Sequence, residues 1–179
     1  MKPSEIIPEF DAFLAGKGLR LEAVVIGGAA LNLLKVIDRG TKDCDVLVPE
    51  LAAEILEAAN EFRGVVAKRN VTLIEGWLNN GPASLAKQLP GGWELRLQEV
   101  FVGQAMHLQT LGRPDLLRSK LFALCDRGID IEDCLALRPT AAELTELLPW
   151  VQYQDANPQW PEHVRRTLDK LARRLGHGV

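Results

Sequence analysis

The stretch VVIGGAALNLLKVIDRGTKDCDVLVPE, from Val24 to Glu50, limits the possible folds more than any other part of the chain. An apolar run ends in Gly27 and Gly28, a helix-like stretch follows, and a second apolar run begins beside Asp43 and Asp45. The pattern predicts a short buried strand, a glycine turn, a helix ending near Gly40, and a second buried strand, CDVLV, closed by Pro49. Positions i and i+2 of a strand face the same side, so Asp43 and Asp45 project together while Cys44 faces away. The flanking VLV implies a strand covered on both faces.

Two carboxylates held close repel each other, and burying either one is costly. A hard divalent cation, Mg²⁺ or Mn²⁺, relieves both penalties, because such ions take carboxylate oxygens together with substrate phosphates. Gly27 and Gly28 lack Cβ atoms and allow a tight turn with close backbone approach. The helix after them offers unsatisfied N–H groups that receive phosphate. Together the turn and the acid pair describe a site for a nucleoside triphosphate (NTP). The plainer alternative is structural: strand-edge aspartates often cap a turn, and a glycine pair often only reverses the chain.

The remaining chain fits a small mixed α/β (α+β) core with a helical C-terminal part. SEIIPEFDAFLAGKG predicts a first helix with Ile6, Phe10, Phe13 and Leu14 on one face. PELAAEILEAANEF predicts another, starting at Pro49. GVVAKRNVTLIEGW is ambiguous between strand and other structure, LNNGPASLAKQLPGG is a loop, and WELRLQEVFVG and AMHLQTL are neighbouring strands. From RPDLLRSKLFALCDRG onward the pattern is helical, with Thr140 and Glu143 placed for a capping box. The expected division is an α/β core over 1–112 and a helical region over 113–179 packed on it.

Composition excludes several classes. A net charge of -3 disfavours a general nucleic-acid binder. Three cysteines, an odd number without metal-ligand spacing, argue against a disulfide framework or zinc site and for a reducing, cytoplasmic setting. No run reaches membrane-spanning length, and the first residues lack the apolar core of a signal peptide.

VVIGGAALNLLKVIDRGTKDCDVLV resembles the nucleotidyltransferase superfamily, the fold shared by DNA polymerase beta, kanamycin nucleotidyltransferase and the minimal nucleotidyltransferases. RGTKDCD resembles the Arg-x-Thr-x-Asp-x-Asp version of nucleotidyltransferase-like toxin–antitoxin proteins, with Arg39 and Thr41 in the matching positions and Lys42 in the variable one. DLLRSKLFALCDRGIDIEDCLAL, with Lys120, Arg127, Asp130 and Asp133, is similar to the helical stretch of the AbiEii-like group. The resemblance covers about residues 21–138. It implies a mixed sheet flanked by helices and Mg²⁺- or Mn²⁺-dependent transfer of a nucleoside monophosphate from NTP to a hydroxyl. The acceptor would belong to a protein, tRNA or small molecule, and a cognate toxin or antitoxin is the implied partner. Asp43 and Asp45 would hold the metal. Gly27, Gly28, Arg39, Thr41, Lys42 and Lys120 would bind the nucleotide.

Two departures from the family pattern stand out. Ala29 replaces the usual serine, removing one hydroxyl donor. No later strand offers an aspartate as third acid, which leaves Glu94 and Glu99, of opposite parity in a regular strand, or Glu75. These departures define the alternative, a catalytically silent binding partner or nucleotide sensor. His107, His163 and His177 share no ligand spacing. Trp77, Trp93, Trp150 and Trp160 read as packing anchors. The basic run Arg165, Arg166, Lys170, Arg173 and Arg174 reads as a solvated helix face.

Overall fold

In the computed structural model, which describes residues 1–177, the first apolar run forms β1, Leu21–Ile26. The last two positions of the expected 113–179 region, 178 and 179, lie outside the described residues. The chain divides into two units, Met1–Leu111 and Gly112–Val179.

The first unit is built on a five-stranded mixed sheet in the order β3-β2-β1-β5-β4. Its strands are β2, Cys44–Val48, β3, Leu78–Asn79, β4, Gln98–Val102, and β5, Met106–Thr110. β1 runs antiparallel to β2 and parallel to β5, β2 is parallel to β3, and β4 is antiparallel to β5. The helices of this unit are α1, Pro3–Gly16, α2, Gly27–Leu33, and α3, Ala53–Ala67. This is the mixed α+β architecture expected from the pattern. One sheet face supplies Leu21, Ala23, Val25, Cys44, Val46, Met106 and Leu108 to a core shared with Ile7, Phe10 and Leu14 of α1 and Ile55, Phe62 and Val66 of α3. Phe10 meets the Trp77 ring edge-on at 5.1 Å and the Phe62 ring at 5.2 Å. Burial of Phe10 alone contributes about 2–3 kcal/mol. Val46 and Leu47, on opposite faces of β2, are both buried, so the strand is covered on both sides as VLV implied.

Several elements differ from the sequence pattern. The helix after the glycines includes them and stops at Leu33, well before Gly40. Lys35 ends it in the left-handed region at φ 59, with Lys35 N donating to Asn32 O and Val36 N to Leu31 O. This double bond pattern closes a helix as glycine ordinarily does. Pro49 does not start α3: it follows a cis Val48–Pro49 bond, and the helix begins at Ala53. No strand forms over 64–77. α3 runs on through Ala67, and the irregular segment after it packs Leu73 and Trp77 into the core. The indole N–H of Trp77 donates to Ala59 O at 3.0 Å. The loop over 78–92 contains the two-residue β3 and a 3-10 helix, Ala83–Lys87. WELR is a second 3-10 helix, Trp93–Arg96, and the strand begins only at Gln98.

The second unit is helical: α4, Arg113–Arg127, α5, Ile131–Leu137, α6, Ala141–Gln152, and α7, Trp160–Arg174. The Thr140–Glu143 capping box forms with both of its hydrogen bonds. Trp160, Val164, Leu168 and Leu171 make the buried stripe of α7. Arg166 and Arg174 on its outer side pair with Glu162 and Glu132. No helix of the described residues is long and apolar enough to cross a membrane.

Candidate functional site: a glycine turn against a carboxylate

The antiparallel ladder places Asp45 of β2 opposite Ile26, the last residue of β1. The next residue, Gly27, has φ +72, a conformation that glycine adopts without penalty. A Cβ on Gly27 would lie 2.9 Å from Asp45 Oδ2, so the carboxylate rests directly on bare backbone. Gly28 is constrained by space alone, since a Cβ there would meet Thr41 Cγ2 at 2.6 Å. The sheet register and the two glycines therefore bring together Gly27, Gly28, Thr41 and Asp45. α2 has only seven residues, so the field at its N-terminus is weaker than the expected longer helix would give.

Asp43 immediately precedes β2 and is half-buried, as is Asp45. Cys44 between them is fully buried in the core, facing away as strand alternation requires. Burial, reinforced by the negative charges of Asp45 and then Asp43, pushes the Cys44 thiol up to about 12. Both carboxylates thus act on one small region.

The segment 34–43, which carries Arg39, Thr41, Lys42 and Asp43, has no regular secondary structure, yet it is tied down at several points. Thr41 Oγ1 donates to Asp43 O at 2.8 Å. Thr41 N donates to Met1 O at 2.7 Å, and the Met1 amino group donates to Thr41 O. Asn32, buried on α2, donates to Ile37 O and Arg39 O, both at 3.3 Å. Arg39 and Lys42 are exposed.

On the other side of β2, Asn79 pairs in register with Asp45. Its Oδ1 accepts from Gly81 N at 2.7 Å and holds a turn in which a Gly81 Cβ would lie 4.0 Å from Asp45 Oδ1. Asn80 clamps the end of β2, accepting from Leu51 N and donating to Val46 O and Pro49 O. The sequence marked NNG only as a turn. Asn32, Asn79, Asn80 and Gly81 escaped it as neighbours of the site, although a lone amide in the apolar run AALNLL was a visible signal.

A family model described as "Nucleotidyltransferase of unknown function (DUF6036)" matches residues 4–140, which include all five strands and α2 through α5. The chain belongs to this family. No curated protein and no solved structure gives a match. As a nucleotidyltransferase-like domain, the chain brings Asp45 of the D-x-D pair against Gly27, and Thr41 against Gly28. Glu99 sits on the edge strand β4, three strands from β2 or about 14 Å across the sheet. Its carboxylate meets His107 Nε2 at 2.9 Å. Glu94 is exposed on the 3-10 helix Trp93–Arg96, so strand parity does not govern where it points. Glu75 is exposed in the loop before Gly76. Among the described residues, no group of three His, Cys, Asp or Glu side chains is placed to hold a metal ion. In the helical unit, Lys120 is buried, with Nζ 2.6 Å from Asp133 Oδ2 and 3.1 Å from Asp130 Oδ1. Two carboxylates already answer the ammonium that the sequence offered to a phosphate, and Arg127 braces Asp130 at 2.9 Å.

Proposed function

We propose that the chain is a metal-dependent nucleotidyltransferase that moves a nucleoside monophosphate from NTP to a hydroxyl of a protein, tRNA or small molecule and releases pyrophosphate. The observation that carries this reading is the Asp45 carboxylate resting on the bare backbone of Gly27. Asp43 and Asp45 would hold Mg²⁺ or Mn²⁺. Two carboxylates are a sufficient protein share for such an ion, whose other positions are filled by water and substrate phosphate. Bound there, the ion supplies charge neutralisation and Lewis-acid polarisation of the phosphates.

The chain's own groups do the rest. The backbone N–H groups of Gly27 and Gly28 would meet the β and γ phosphates beside the Asp45 carboxylate and the Thr41 methyl that cover their α-carbons, and Ala29 adds no hydroxyl. Lys42 offers a point charge and Arg39 a planar fork to the triphosphate. The acceptor oxygen bonds to the α-phosphorus, the bond to the pyrophosphate oxygen breaks, and the acceptor proton leaves to solvent.

One observation favours a second reading, a catalytically silent protein acting as an antitoxin-like binding partner or as a nucleotide sensor. The residue paired with Asp45 on β3 is the amide Asn79, so a third carboxylate does not complete the pair there. Incubation with labelled NTPs, Mn²⁺ and candidate protein, tRNA and small-molecule acceptors separates the two. Label transfer with pyrophosphate release, abolished in Asp45→Asn, supports the enzyme. Metal-dependent NTP binding without transfer supports the sensor, and neither binding nor transfer supports the antitoxin-like partner.

A further inference from the structure

We infer that Asn32 is the positioning residue for a phosphate-binding arm, the segment 34–43; this rests on the nucleotidyl-transfer reading above. Asn32 is 3% exposed, and the other buried residues of α2 are Ala29, Ala30 and Leu31. A buried amide is unfavourable unless its hydrogen-bonding capacity is used. Asn32 uses three of the four bonds its side chain can form. Oδ1 accepts from Ser4 N at 3.0 Å, and Nδ2 donates to Ile37 O and to Arg39 O. One side chain thereby joins the start of α1, the end of α2 and the irregular segment leading to Asp43.

The arm and Asp45 are fixed by different means. Asp45 is held by its ladder to Ile26 and Asn79. The backbone at 37–39 belongs to no ladder, and the Asn32 amide is the side chain that anchors it at two carbonyls. Arg39 follows directly from that anchor. Lys42, exposed and without an ion pair among the described residues, lies three positions further on. Asn32 therefore sets the reach of the cations toward a triphosphate, whereas the sheet sets the carboxylate at the metal position.

The Asn32→Asp variant keeps the size and the bond from Ser4 but presents an acceptor to two carbonyls. We expect ATP affinity in the presence of Mn²⁺ to fall about tenfold, or about 1.4 kcal/mol, while Mn²⁺ affinity without nucleotide changes less than about twofold. Amide exchange over 36–43 should quicken, with β1 and β2 unchanged. Asp11→Asn is the control for general loosening. Asp11 accepts from Gln104 N, Ala105 N and Met106 N at the β4–β5 turn, so this variant should lower the melting temperature without altering ATP affinity. An equal loss of ATP affinity in Asp11→Asn, or unchanged affinity in Asn32→Asp, overturns the inference. A wild-type protein that takes up no ATP overturns the nucleotidyl-transfer reading and the phosphate role of the arm. Unchanged exchange in Asn32→Asp overturns the anchoring role independently of nucleotide.

Discussion

Gly27 cannot accept a side chain without moving Asp45. In Gly27→Ala the residue would have to stay at φ +72, which disfavours any L side chain by about 1–2 kcal/mol, and its Cβ would press on the carboxylate. We expect a loss of stability of about that size by chemical denaturation. A weaker Mn²⁺ titration should accompany it, because relieving the clash displaces Asp45. At this scale the sequence was informative. Spacing placed the glycine pair and the D-x-D pair on adjacent strands, and alternation turned Cys44 inward. It could not show Asn32 holding two carbonyls, because that contact depends on where the chain after Leu33 turns. Nor could it place Asn79 beside Asp45, since a two-residue strand carries no period to read.

α2 departs furthest from its sequence pattern, stopping at Leu33. Glycine is the usual helix stop, so the pattern ran to Gly40, but Lys35 makes the left-handed stop instead. Lys35→Gly should therefore raise stability by about 1 kcal/mol, measured as a higher denaturant midpoint with an unchanged slope. The strand expected to start at Trp93 begins later for a similar reason: WELR alternates like a strand, yet Gly92 at φ 75 leads into a 3-10 turn. The cap of α6 was legible because Thr140 and Glu143 form it from local residues alone. Glu143 has a second role. Its hydrogen bond from Arg113 outweighs burial, which acts the other way, and with the Thr140 backbone N–H holds the carboxyl down to about 2. A carboxyl lowered on folding stabilises above its unfolded value of 4.5 and loses that contribution as pH falls toward 2. An acid titration followed by circular dichroism should show this loss, and Glu143→Gln should remove that part of the pH dependence.

Over the whole molecule, the sequence separated a mixed α/β part from a helical part, and the two units meet in sequence between Leu111 and Gly112. It could not foresee that Lys120, in the helical unit, spends its charge on Asp130 and Asp133, because that pairing depends on the chain bending back at α5. The three cysteines offer a means of following each unit separately. Burial pushes the thiols of Cys44, Cys125 and Cys134 up to about 12. Cys44 lies in the first unit and the other two in the second. At neutral pH all three stay protonated and shielded, so an alkylating reagent should label the native protein very slowly. Rising denaturant would expose them, and mass mapping of the labelled peptides would time the opening of the strand between the two acids independently of the helices.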